Sequence, residues 1–153
     1  MKPQLVKIDV AAADLGKSVA RIFDLVDGGT PEEAGLLWCF DLSKNIGSKR
    51  RDLRFWRPEL TARAQGDQQK YCRMEITAVI AMVLPEQRES FHAGEVDQLL
   101  QMRPRTRIDL GADLPGRLKD RRHTYSRQAL ESFLKRRWIG AAIFKVKGKG
   151  VPA

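Results

Sequence analysis

The sequence predicts an α+β fold that is mainly helical and in which one order of short elements occurs twice. Several segments carry apolar residues at helical spacing, two segments alternate polar and apolar residues as strands do, and Gly and Pro separate them. The order helix, turn, helix, hairpin, helix is predicted for residues 5–65 and again for 92–139. With 153 residues, 42% of them hydrophobic, the chain can bury the core of one domain or two small ones.

Residues 8–26 predict two short helices rather than one long helix. Val19, Ile22 and Val26 recur at the spacing of one helical face. Gly16 interrupts the pattern before them, so we place the turn between the two helices at this glycine.

A hairpin and a third helix follow in the first half. Residues 36–42 have the composition of a strand, 43–50 are polar and form a loop, and 52–56 alternate as a returning strand. Pro58 suits the first turn of a helix over residues 58–65.

A linker over residues 66–70 leads to a very apolar helix over 73–84, which Pro85 ends. A helix that is apolar on most of its surface must be covered. We therefore expect it to pack between the two halves or against a second subunit.

The second half repeats the order of the first. Residues 92–101 and 105–110 predict two short helices, the second with Ile108 turned inward. Residues 114–116 (Leu-Pro-Gly) break the second helix, and the basic segment 117–125 forms a loop or hairpin.

The last predicted helix is the most regular of the chain. Ser126 stands at its start as an N-cap. Its apolar face follows at helical spacing and consists of Leu130, Phe133, Leu134 and Trp138.

This order and these motifs resemble the excisionase-type winged helix-turn-helix, a relative of the mercury-resistance regulators. The resemblance covers residues 92–139, and residues 5–65 look like a diverged second copy. It implies a winged helix-turn-helix fold, in one or two copies, that binds DNA. The matching pieces are Glu95-Val96 with Leu99-Leu100, Arg103 to Ile108, Leu114-Pro115, Arg121 to Tyr125, and Ser126 with Leu130, Phe133 and Leu134.

The predicted domain organisation follows the two copies. It comprises a diverged winged-helix-like domain over 1–66, a linker and connecting helix over 67–90, a winged helix-turn-helix domain over 91–140 and a basic flexible tail over 141–153.

The net charge of +9 is concentrated in the last third of the chain. Residues 101–153 carry 14 Lys and Arg against four Asp and Glu, a net charge of +10, whereas residues 1–100 carry a net charge of −1. Such an asymmetry indicates a polyanionic partner bound by one end of the molecule.

The predicted DNA-binding residues lie on the presumed second helix and wing of each copy. Arginine at the start of a recognition helix can reach base edges, and cations on a wing contact the DNA backbone. In the second copy they are Arg103, Arg105, Thr106, Arg107, Arg117, Lys119, Arg121, Arg122 and His123; in the first they are Lys17, Ser18, Arg21, Lys49, Arg50 and Arg51.

Other classes of protein fit the sequence less well. No apolar run is long enough for a membrane span, no signal peptide begins the chain, and Cys39 and Cys72 are expected to be reduced in a cytoplasmic protein. His92 and His123 lack partners at metal-ligand spacing, no phosphate loop is present, and we predict no cofactor, metal or catalysis.

The expected function is binding of double-stranded DNA as a transcriptional regulator or as a recombination or plasmid accessory factor, with homodimer formation left open. In one alternative, residues 1–66 bind a partner protein in a phage or plasmid system and the basic end is a nonspecific anchor. The other is RNA binding, which needs exposed aromatic residues on a sheet.

Overall fold

A computed structural model describes residues 4–27, 37, 39–44, 51–66, 76–85, 87–119 and 122–139. These residues form an α+β fold, mainly helical, with two small antiparallel sheets. The first half contains β1 (Leu5–Lys7), α1 (Ile8–Leu15), α2 (Val19–Asp27), β2 (Cys39–Asp41), β3 (Leu53–Trp56) and α3 (Arg57–Ala64). After it come α4 (Ile76–Val83), β4 (Ser90–His92), α5 (Ala93–Leu99), α6 (Pro104–Asp109), a 3-10 turn (Gly111–Asp113), β5 (Arg117–Lys119), β6 (Arg122–Ser126), α7 (Arg127–Arg136) and β7 (Trp138–Ile139).

The two halves share one strand order. β1 pairs with β3, which pairs with β2, and in the same way β4 pairs with β6, which pairs with β5. Val6 lies opposite Phe55 in the first sheet, and Phe91 lies opposite Tyr125 in the second. The first sheet differs by a fourth strand, since β7 pairs with β2. The repeated order of elements that the sequence predicted is therefore present in the described residues.

Local signals place the helix boundaries where the sequence predicted them. Gly16 has a φ of 63°, a left-handed conformation that ends α1, and the Ser18 side chain accepts a hydrogen bond of 3.2 Å from the Arg21 N–H at the start of α2. Ser126 caps α7, since its Oγ accepts a hydrogen bond of 3.0 Å from the Ala129 N–H.

Three expectations of local structure need correction. The first-half strand is shorter than residues 36–42. Trp138 does not continue α7: it opens β7, where it lies opposite Phe40 with the two rings 5.4 Å apart. Ile108 is 62% exposed rather than inward, because Arg107 occupies the buried position of α6.

The apolar residues form two clusters. One lies within the first half, where Phe55 and Leu53 of β3 pack with Ile22 of α2 and Leu60 of α3. The other joins both halves, and in it Leu5 and its neighbours share a core with Phe133. Val79, Ile80, Val83 and Leu84 of the α4 segment belong to this second cluster. The helix α4 therefore contributes to the core that both halves share, and it contacts α7 of the second half. Packing between the halves or against a second subunit stays a prediction.

Two buried arginines also join the halves. Arg54 of β3 is 1% exposed and donates hydrogen bonds to the Leu100 and Gln101 carbonyls. Arg137, at the end of α7, is 2% exposed and hydrogen-bonds the Asp41 carbonyl at 3.2 Å. Buried guanidinium groups are stable only when paired. The carboxylate partner of each arginine comes from its own half, Asp52 for Arg54 and Asp113 for Arg137, and the carbonyl acceptors come from the other half.

The division of the chain into domains at residues 66 and 91 stays a prediction. One feature of the fold crosses this division. The end of the segment 91–140 supplies β7 to the first sheet, so the two halves share a sheet as well as a core. The predicted linker at 67–70 and tail at 141–153 lie outside the described residues.

Candidate nucleic-acid interface

The short helix α6 and the residue before it present two arginines and one apolar side chain to solvent. Arg103 precedes the helix and is exposed; the Arg105 side chain is 86% exposed and lies 3.5 Å from Asp109. Ile108 is also exposed, and Thr106 is half-buried. With only six residues, α6 can present few side chains to a groove of DNA.

Arg107 has to be withdrawn from the predicted contact residues. It is buried, its Nε lies 2.7 Å from Asp97 Oδ1, and its Nη1 donates a 3.0 Å hydrogen bond to the Tyr125 hydroxyl. Burial lowers the pKa of this guanidinium, but the hydrogen bonds with Asp97 and Tyr125 outweigh that effect and raise it. The charge of Arg107 thus serves to join α5, α6 and β6.

The basic segment 117–125 is a hairpin, one of the two forms predicted for it. Leu118 lies opposite His123, and Lys119 lies opposite Arg122. Arg117, Leu118 and His123 are exposed. Arg121 and the side chains of Lys119 and Arg122 lie outside the described residues.

The two faces of this hairpin have different surroundings. Side chains alternate along a strand, so His123 and Tyr125 share one face. Tyr125 on this face contacts Arg107 of α6. Because of that contact, the face that carries His123 is turned toward α6.

The other face of the second sheet borders an open groove of about 1410 Å³. Arg117, Thr124 and His92 form a row across its three strands, and all three line the groove. Leu118, on the edge strand β5, also lines it. In the first sheet, the positions that correspond to Arg117 and Thr124 are Phe40 and Arg54, which are both buried. The repeated face is thus a packing surface in one half and a polar open surface in the other.

The position of Gly116 before the hairpin requires a glycine. A Cβ at this position would lie 2.7 Å from Cε1 of the Tyr125 ring, closer than carbon atoms pack. Only glycine lets the chain cross this ring and enter β5. The Leu-Pro-Gly sequence therefore marks a close approach as well as a helix end.

The predicted contact residues of the first half are in part used within the fold. Arg51 forms two hydrogen bonds of 2.8 and 2.6 Å with Asp27 and lies over the Phe23 ring. The hydrogen bonds with Asp27 raise the pKa of Arg51. Lys17 is exposed, Ser18 caps α2 through the Arg21 N–H, and Lys49 and Arg50 lie outside the described residues. Unlike Arg107, Arg51 keeps 23% of its side chain exposed, so its contact with DNA stays a prediction.

Two exposed side chains of the second half were not among the predicted contact residues. His92 lines the open groove, and Leu118 is 67% exposed on the hairpin. The sequence Arg117-Leu118-Lys119 could have indicated that Leu118 is exposed, because an apolar residue between two cations in a wing has no core to enter. The position of His92 at the groove follows from its pairing with Thr124, and the sequence does not show this pairing.

Other expectations about sites can be compared with the described residues. Among them, no group of His, Cys, Asp and Glu is arranged to hold a metal ion, and no helix is long and apolar enough to cross a membrane. Cys39 is buried and unbonded, and its burial raises the pKa of the thiol. Cys72 lies outside the described part of the chain.

Comparison of the chain with protein-family models, with curated proteins and with solved structures gives no match.

Proposed function

We propose that the protein binds double-stranded DNA through its second half, folded as a winged helix-turn-helix unit. In this assignment α5 and α6 are the helix-turn-helix, the β5–β6 hairpin is the wing, and α7 closes the unit. The observation that carries the proposal is the attachment of the wing to α6. Arg107 and Tyr125 join the two elements, Arg103 and Arg105 are exposed at the start of α6, and Arg117 is exposed on the face of the wing that borders the groove.

The two elements have different roles in this proposal. The N-terminal residues of a recognition helix reach base edges, and arginine pairs with guanine in two hydrogen bonds. Arg103 is the N-cap residue of α6, and Arg105 lies in its first turn. Arg117 stands on the wing, where cations contact phosphates and supply affinity without sequence preference. His123 is exposed on the same hairpin.

The first half supports the second in this proposal. Its sheet face is buried against the second half, β2 is paired by β7, and Arg51 is engaged by Asp27. These features favour a docking module over a second DNA reader. They also fit the narrower alternative in which residues 1–66 bind a partner protein in a phage or plasmid system.

RNA binding is the less favoured alternative. Recognition of single-stranded RNA on a sheet uses exposed aromatic side chains. Phe40, Phe55 and Trp56 of the first sheet are buried, as is Tyr125 of the second.

A binding series over salt concentration tests the proposal. Affinity for duplex DNA should fall as salt rises, because bound cations release counterions from the phosphates. Arg105→Ala should relax the preference among sequences obtained by selection from random DNA. Lys147→Ala, in the basic tail, should weaken binding to all sequences alike.

The matched control is Lys7→Ala, which removes an exposed cation of the first half and should change neither property. Absence of duplex binding at low salt would contradict the proposal. A palindromic selected site would indicate a homodimer, and the same selection would provide the site needed to examine a role as regulator or as recombination or plasmid accessory factor.

A further inference from the structure

The second sheet ends in a strand whose counterpart in the first sheet is covered. Within the described part of the chain, the second sheet has the order β4-β6-β5, so β5 is an edge strand. Its counterpart β2 is paired by β7 on the edge that points away from β3, and Phe40 lies opposite Trp138 there. The first half therefore shows that this type of sheet is extended by one more strand at this edge.

The repeat shows which residues of β5 stand at the open edge. Lys7 and His92 are the last residues of β1 and β4, and a helix follows each of them directly. The row across the first sheet from Lys7 ends at Phe40, and the row across the second sheet from His92 ends at Arg117. Arg117 therefore occupies the position at which Phe40 meets the added strand β7.

The next residue of each strand supplies a backbone group. Asp41, which follows Phe40, donates its N–H to the Arg137 carbonyl at 2.8 Å, at the start of the β7 pairing. Leu118 is the corresponding residue of β5, so we expect its N–H to point to the open edge. Unpaired backbone groups along a strand edge accept the backbone of an added peptide.

The side chains at this edge favour an acidic strand. Arg117 is exposed and lines the open groove of about 1410 Å³ together with His92. None of the described residues that line the groove is Asp or Glu. A carboxylate opposite Arg117 would form a cross-strand pair of opposite charge, which stabilises antiparallel strands. Leu118, which is 67% exposed and also lines the groove, offers apolar surface to the same strand.

Two other occupants fit the edge less well. A second copy of β5 would place the basic sequence Arg117-Leu118-Lys119 beside itself, and like charges on paired strands destabilise the pair. The chain's own residues 141–153 contain three lysines and no Asp or Glu. Cations on an edge strand thus disfavour pairing with another basic strand and leave an acidic strand favoured.

We propose that β5 is a docking edge for an extended acidic segment of a partner protein, which joins the second sheet as a fourth strand and places a carboxylate opposite Arg117. The segment takes the place that β7 takes in the first sheet. Because the proposed function assigns Arg117 to phosphate contact, the segment and DNA compete for this side chain. The docking edge itself rests on strand order and on the groove, and it does not require DNA binding.

The test uses the full chain and a short synthetic peptide in which Glu alternates with Val. Amide hydrogen exchange followed by NMR should show slower exchange of the Leu118 N–H when the peptide is bound. Exchange of the Asp41 N–H should be unchanged, since the Arg137 carbonyl already accepts it. A peptide of the same sequence with N-methylated backbone amides keeps the charge but cannot pair as a strand, and it should not bind.

Substitution of Arg117 tests the charge pair. Arg117→Ala should weaken binding of the peptide about fivefold, as expected for one cross-strand charge pair. Arg117→Glu should lose this peptide and bind one in which Lys replaces Glu. Lys135→Ala, which removes an exposed cation of α7 outside the groove, is the matched control and should leave binding unchanged. Arg117 is exposed, so its substitutions should leave the unfolding temperature unchanged.

Several results would overturn the docking edge. One is unchanged exchange of the Leu118 N–H with the peptide in excess, and another is equal binding of the N-methylated peptide, which would show general electrostatic attraction. Protection of Leu118 that rises with protein concentration in the absence of peptide would assign the edge to a second copy. Equal protection by duplex DNA would assign the groove to nucleic acid. Failure of the protein to bind duplex DNA would overturn the proposed function alone.

Discussion

The Nη2 of Arg54 donates a hydrogen bond of 2.6 Å to the carbonyl of Gln101. Gln101 lies in the turn between α5 and α6 and has a left-handed φ of 52°. A buried side chain of the first half thus holds the turn that orients α6. The geometry of the proposed DNA-reading helix therefore depends on the half of the chain that carries little net charge.

Replacing Arg54 with methionine should lower the free energy of unfolding by about 3 kcal/mol. The substitution leaves the Leu100 and Gln101 carbonyls without their buried donor, and unsatisfied buried polar groups are costly. Urea denaturation measures the change. Arg57→Met, at an exposed neighbouring position, is the control and should change the free energy by less than about 0.5 kcal/mol.

The stability of the protein should fall in acid as the contact between Asp113 and Arg137 is lost. Burial raises the pKa of Asp113, but the hydrogen bond and charge of Arg137 outweigh burial and lower it below 3.8. A lowered carboxyl pKa contributes stability above the unfolded-state value, and this contribution is lost as the pH falls through the folded-state value.

Asp113→Asn should therefore destabilise the protein by about 2 kcal/mol at neutral pH, because Arg137 stays buried with fewer partners. The difference from wild type should shrink once the pH is below the folded-state pKa of Asp113. Denaturant unfolding over this pH range measures it. A difference that is independent of pH would contradict the assignment.

Substitution of Arg107 should lower the stability of the protein, whereas substitution of Arg105 should leave it unchanged. Arg107→Ala should cost about 3 kcal/mol of unfolding free energy, since it removes a buried ion pair with Asp97 and the hydrogen bond to Tyr125. Arg105→Ala should leave the unfolding midpoint within error, because the side chain is exposed. Calorimetry distinguishes the two, and equal melting temperatures for both variants would refute the structural role of Arg107.

Gly116→Ala should destabilise the wing. The new Cβ would meet the Tyr125 ring at 2.7 Å, and relief of the clash requires movement of the ring or of β5, at a cost of about 1–3 kcal/mol. Gly94→Ala, in α5, meets no atom within 4 Å and should be neutral or stabilising. Thermal unfolding of the two variants measures the contrast, and equal behaviour would show that the ring yields freely.

Boundaries of elements were the most predictable part of the fold. Gly16, Ser126 and the break at residues 114–116 were each interpreted correctly from the sequence. Helix caps and turns are made by residues within a few positions of one another, so the information is local. Trp138 was misassigned because it continues the helical spacing of α7, whereas its actual neighbour is Phe40 of a distant strand.

The arginines of the predicted site were less predictable. Exposed Arg105 and buried Arg107 are indistinguishable as letters in the segment Arg-Thr-Arg. What separates them is Asp97 and Tyr125, at separations of 10 and 18 residues. The sequence shows where the cations are concentrated along the chain, and the fold uses Arg107 among them for an internal ion pair.

By itself, the sequence determined the repeated order of elements, the apolar faces of the helices and the concentration of positive charge in the last third of the chain. These are properties of composition and of spacing along a single chain. The tertiary structure alone decided which sheet face is buried, where β7 pairs and which arginines remain exposed. Each of these depends on contacts between residues far apart in sequence, such as Arg54 with Leu100 at a separation of 46 residues, and the burial of a charge is decided by whether such a partner is within reach.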